Sequence, residues 1–136
     1  MSYTAAVVQA ASLPNDALGS AHKAAKLIRE AAKAGARLAM FPEAFLGGYP
    51  KGHTFGCPVG MRKPEGREAF RRYYDNAIAL NGEEVGTIAA ACCETGVFVV
   101  LGCIERELGT LYCTALFFDG EPRADRQAPQ ADADCR

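Results

Sequence analysis

A carboxylate placed directly after a strand is the feature of this sequence most suited to chemistry. It lies in FPEAF at 41–45, where Glu43 follows Pro42 at the end of a short apolar run. In open α/β folds, the carboxyl ends of strands are where ligands bind. A glutamate there, flanked by Phe41 and Phe45, is expected to be partly desolvated. Desolvation makes a carboxylate a stronger proton acceptor, which suits a general base. The plainer reading is a loop glutamate paired with a neighbouring Lys or Arg, and position alone leaves both open.

The thiols are the second group of interest. Cysteines stand at 57, 92, 93, 103, 113 and 135, with no C-x-x-C pair and no spacing that resembles a zinc site. The opening residues lack the basic region of a signal peptide, so a cytoplasmic location is expected and a disulfide framework is not. Cys92, Cys103 and Cys113 read as small buried hydrophobes.

The elements around these residues follow from periodicity. Residues 3–10 read as a short buried strand. Residues 16–34 read as a helix, with Asn15 or Asp16 as N-cap. Ala17, Ala21, Ala24, Ile28 and Ala31 form its buried stripe, and Gly35 stands at the left-handed position past its end. Residues 37–41 form a second strand, giving a βαβ unit with parallel strands. The Gly- and Pro-rich stretch 44–64 reads as a long functional loop.

A polar helix is expected over 65–80, with Phe70, Tyr73, Tyr74 and Ala77 on its buried face. A third helix is expected over 82–95, opened by a capping box of Asn81 and Glu84 and closed by Gly96. Strands at 97–106 and 110–119 are joined by a tight turn around Gly109.

Composition sets the outer bounds. The 136 residues fit one domain, and 49% are hydrophobic, enough for a packed core. A net charge of −1, with spread Lys and Arg, makes no case for nucleic acid or an anionic membrane as partner. No apolar run is long enough to span a bilayer.

The segments FPEAFLGGYPKG (41–52), EGREAFRRYYDNAI (65–78), NGEEV (81–85) and GCIERELGTLYCTALFFDG (102–120) resemble, in order, segments of the nitrilases, within the carbon–nitrogen hydrolase superfamily. The resemblance covers residues 3–120. It implies an α/β fold: the N-terminal portion of an α-β-β-α sandwich, truncated after about half of it. It also implies a Glu-Lys-Cys triad. A cysteine thiolate attacks the nitrile carbon, the lysine stabilises the developing charge, and the glutamate handles protons. A thioimidate forms, and water releases ammonia and a carboxylic acid.

Carried over residue by residue, the triad yields Glu43 alone. No lysine follows Lys63, and the chain has no Trp to mark the family's cysteine context. Tyr49, Lys51 and His53 match substrate-loop positions. No metal or cofactor is implied. The implied partner is a small nitrile, and the family commonly assembles as homo-oligomers. A cyanide hydratase or amidase of the same superfamily is the alternative enzyme, and a non-catalytic truncated fragment is the alternative outside catalysis.

Residues 121–136 break the pattern, with no aliphatic residue larger than Ala. They are expected to be a disordered, non-native tail. ADRQAPQADADCR (124–136) can be back-translated so that a frame displaced by one base reads LIGKHRKLMPTA. That string resembles the nitrilase segment carrying the triad lysine, so a frameshift near codons 120–123 is expected. The same truncation is expected to leave one sheet uncovered and the chain prone to aggregate.

Overall fold

The computed structural model describes residues 2–57 and 63–120. The elements are β1 (Thr4–Val7), α1 (Ala17–Lys33), β2 (Ala36–Met40), α2 (Pro64–Asp75), α3 (Glu83–Thr95), β3 (Phe98–Glu107) and β4 (Thr110–Phe118). The tail expected at 121–136 lies outside the described residues.

Helix α1 forms as its alanine stripe dictates. Ala17, Ala21, Ala24, Ile28 and Ala31 are all buried. Of the two candidate caps, Asp16 serves: its Oδ1 accepts the Gly19 N–H at 2.7 Å. Gly35 adopts φ 81° just beyond the helix, the conformation a residue without Cβ adopts cheaply. The chain can then turn straight into β2, completing the βαβ unit.

The sheet order is β1-β2-β3-β4. The first three strands are parallel, and β4 returns antiparallel to β3. The β3–β4 turn is tight because Leu108 (φ 47°) and Gly109 (φ 88°) are both left-handed, the geometry that matches strand twist.

Period-two alternation divides the sheet into two unequal faces. Ala39, Val99, Leu101, Cys103, Leu116 and Phe118 face α1 and α3, and all are buried in one core. The register sets Val7, Met40, Val100 and Phe117 on the opposite face. There Val7 is 75% exposed, Met40 46% and Phe117 39%. The neighbouring Phe98 is 38% exposed. One face of this sheet is therefore roofed by helices, and the other lies largely open.

Three sequence expectations are corrected. Strand β1 is not buried: it is an edge strand whose open face has nothing packed on it among the described residues. Helix α2 stops at Asp75 rather than near 80, and within it only Gly66 is buried. Phe70 is exposed, and Tyr73 and Tyr74 are half-buried, because α2 lies outside the α1–α3 layer. Ala77 is buried as expected, but beyond the helix end. Helix α3 buries Val85, Ile88, Ala89 and Cys92 as its spacing predicts. Its N-cap, however, is Gly82, and no side chain caps it, so the Asn81–Glu84 capping box does not form.

Candidate active site

Glu43 is carried on an excursion from the edge of β3. The Phe41 N–H donates to the Val100 carbonyl at 2.9 Å, and the Leu46 N–H donates to the Gly102 carbonyl at 3.2 Å. Five residues of chain thus span two residues of β3. Pro42 has no N–H to offer the ladder, and Ala44 turns the chain at φ 53°, a costly conformation for a residue with Cβ. Glu43 stands at the crest.

The excursion rests on a bare backbone. A Cβ on Gly102 would lie 2.7 Å from the Glu43 Cα, 2.7 Å from the Pro42 carbonyl oxygen and 2.8 Å from the Ala44 nitrogen. Only glycine lets the loop sit this close. Downstream, the Ile104 N–H donates to the Leu46 carbonyl at 2.8 Å, and Gly47 (φ 94°) packs against the Ile104 side chain.

Asn76 fastens the same loop from the other side. Its Nδ2 donates to the Gly47 carbonyl at 2.9 Å, and its Oδ1 accepts the Ala17 N–H at 3.0 Å. One side chain so ties the Glu43 loop, the end of α2 and the first turn of α1. The bonded Ala17 N–H is one of the donors a helix start leaves unpaired.

The Glu43 side chain is exposed, which corrects the expectation of desolvation. Phe41 and Phe45 are buried, packed edge to face at 5.2 Å, so they point into the core and leave the carboxylate outside. No described Lys or Arg pairs with it, against the plainer reading of a structural ion pair. Its hydrogen-bond partner is the Cys113 thiol, which donates to Oε1 at 3.2 Å.

Cys113 is a second correction. Cys92 and Cys103 are fully buried as expected, and burial pushes both thiols up to about 12. Cys113 is exposed, because the alternation of β4 places it on the open face opposite Ile104. Its thiol is also raised, first by partial burial and then by the hydrogen bond to Glu43.

The three expected substrate-loop residues do not gather at Glu43. Tyr49 and His53 line a cleft of about 350 Å³ with Ser12, Asn15, Arg72 and Tyr73, and Glu43 is not part of its wall. His53 stacks on Phe55 at 5.8 Å between ring centroids. Lys51 is exposed and lies outside that lining.

Gly102, Asn76 and Cys113 escaped the sequence reading as parts of the site. Cys113 was within reach, since counting alternate positions along β4 puts it on the face opposite Leu116. Nothing in the local sequence marks Asn76 as a clamp, because its partners lie 29 and 59 residues away. Among the described residues, no cluster of His, Cys, Asp or Glu could hold a metal ion. No helix among them is long and apolar enough to cross a membrane.

Comparison with known proteins now bears on this geometry. The chain is 73% identical over 118 residues to Nitrilase blr3397 of Bradyrhizobium diazoefficiens, covering 87% of this chain and 37% of that protein. It is 53% identical over 116 residues to an aliphatic nitrilase of Sinorhizobium fredii, covering 85% of this chain and 38% of that one. The chain therefore spans well under half the length of these relatives. In fold, it is similar to XC1258 of Xanthomonas campestris, a CN-hydrolase superfamily protein. There the TM-score is 0.58 at 17% identity, over 85% of this chain and 36% of the other. The sequence profile described as carbon-nitrogen hydrolase matches residues 4–127, nearly the whole chain, and the protein belongs to that family.

Proposed function

We propose that this chain is the N-terminal part of a nitrilase, with Glu43 as the general base of a Glu-Lys-Cys triad. The observation that carries the reading is the crest itself. Five residues of chain are folded over Gly102 so that one carboxylate stands on the open sheet face, in no ion pair among the described residues. A carboxylate without a structural ion pair is free to take a proton. The similarity to two bacterial nitrilases supplies the substrate class.

In this reading, Glu43 removes the proton of a cysteine thiol. The thiolate adds to the nitrile carbon, and a lysine stabilises the charge that develops on nitrogen. Water then hydrolyses the thioimidate to acid and ammonia. The lysine and cysteine are not supplied by residues 2–120, so the 136-residue chain is inactive alone. Residues 121–136 are a frameshifted tail, and restoring the frame restores the lysine segment. The enzyme acts in the cytoplasm on a small nitrile.

Sequencing the gene beyond codon 119 tests the frameshift: a base series that cannot yield GKHRK in a shifted frame ends it. Ammonia release by the frame-restored, full-length product tests the activity. Phenylacetonitrile and indole-3-acetonitrile should be turned over, while preference for cyanide or acetamide would reassign the chain to the hydratase or amidase alternatives. Glu43→Gln should lower kcat by roughly 10²–10⁴-fold, the usual contribution of a positioned acid–base group. Ammonia release by the 136-residue chain itself would overturn the inactivity.

A further inference from the structure

The exposed thiol of Cys113 is not accounted for by that reading. It lies on β4 with its Sγ 3.2 Å from Glu43 Oε1, on the same open face. Two roles suit a thiol so placed. It could be a nucleophile for which Glu43 is the base, or it could be a donor that holds Glu43 still.

The surroundings decide between them. A cysteine becomes a ready nucleophile when cations or a helix N-terminus favour its thiolate. Around Cys113 the titratable groups are Glu43 on the β2 exit loop, Tyr73 on α2 and Cys103 on β3. The next residue, Thr114, is on the other face of β4 and donates to Glu105 there, so it brings no cation to the sulfur. The nearby cation Arg106 is turned away: its Nη1 donates to the Tyr74 carbonyl, and its guanidinium lies over the Tyr74 ring. What acts on the sulfur is thus its partial burial and the Glu43 carboxylate, and both favour the protonated thiol.

We propose that Cys113 is a positioning residue for Glu43. Its S–H donates to Oε1 and fixes the carboxylate, leaving Oε2 free to take a proton. The role rests on Glu43 being the base, but the contact can be tested without any turnover. A thiol that donates to a carboxylate must keep its proton to do so, and removing the carboxylate's charge must release it. A cross-strand residue that merely fills space would not show that dependence.

The test is cysteine-resolved alkylation of the 136-residue chain, kept dilute enough to stay monomeric, with iodoacetamide from pH 7 to 9, read by mass spectrometry. In the unaltered chain, Cys113 should lag behind exposed Cys57 throughout. In Glu43→Gln, the Cys113 rate at pH 8 should rise about 3–10-fold, because the charge that favours the protonated thiol is gone. Glu43→Asp, which keeps the charge at shorter reach, should give a smaller rise. Cys57 should not change.

An unchanged Cys113 profile in Glu43→Gln overturns the proposal. So does a Cys113 that outpaces Cys57 in the unaltered chain and slows in Glu43→Gln, which is the behaviour of a base-activated nucleophile. Buried Cys92 and Cys103 report folding in the same sample. If they label as fast as Cys57, the geometry is absent and the proposal falls. Failure of the ammonia assay with the alkylation shift intact would remove Glu43 as base while leaving the contact standing.

Discussion

A methyl group at Gly102 would meet three backbone atoms of the Glu43 loop within 2.8 Å. None of those atoms belongs to a flexible side chain, so the loop itself must lift. Gly102→Ala should therefore cost about 1–3 kcal/mol, the usual range for overpacking a tight contact. Urea unfolding read against the unaltered chain measures this, and a change below about 0.5 kcal/mol would mean the loop is not seated on β3.

Asn76→Ala makes a different demand. It leaves a helix N–H and a loop carbonyl without partners, at about 1–3 kcal/mol if both stay out of water. Hydrogen exchange at the Ala17 amide should speed up, whereas a change confined to global stability would exchange all core amides alike. These residues are invisible to periodicity because each acts through a contact distant in sequence. Glu43 itself was legible, since a proline that ends a strand and a following acid are adjacent in the chain. Its exposure was not, because that depends on what packs above it.

Elements with a strong internal period were read nearly to their ends. Helix α1 announces itself by a stripe of alanines, and the β3–β4 hairpin by two apolar runs around Gly109. Helix α2 ends short of the expected bound because Asn76 is drawn off to clamp Gly47 where another turn would begin; its Phe70 and Tyr73 pack on Phe55 and stay partly in water. Helix α2 leans also on its own charges. Glu68 accepts from Arg71 and Arg72, and Arg71 also donates to Asp75.

The hydrogen bond from Arg71, and then that from Arg72, hold the Glu68 carboxyl down to about 2 from its ordinary 4.5. Since the folded value is the lower one, this support is complete above pH 4.5 and is lost as pH falls toward 2. Amide protection in α2 should fade across that window, and earlier in salt, because the pairs are exposed and screened. Protection that persists at pH 2 would show that packing, not charge, holds the helix.

For the whole molecule, the open sheet face is the dominant physical fact. Val7, Met40, Phe98 and Phe117 are large apolar side chains left substantially in water, each forgoing up to ~1.5–3 kcal/mol of burial. Patches of this kind drive association. The 136-residue chain should bind a hydrophobic dye and self-associate as its concentration rises. The pair Met40→Lys and Phe117→Lys should reduce both. A monomer that binds no dye and melts in one cooperative transition would contradict this expectation.

Strand β3 also works as a measuring rule. Along one edge it receives β2 opposite residues 98–100, Leu46 opposite Cys103 and Ile78 opposite Glu105. Three stretches of chain, 38 to 78, are indexed to marks on a single ten-residue strand. A residue inserted between Val100 and Glu105 would shift the upper marks against the lower ones, dragging the glutamate crest and the segment after α2 out of step. The same insertion at Leu108–Gly109 falls past the last mark, so lengthening that end should leave the acid where it stands.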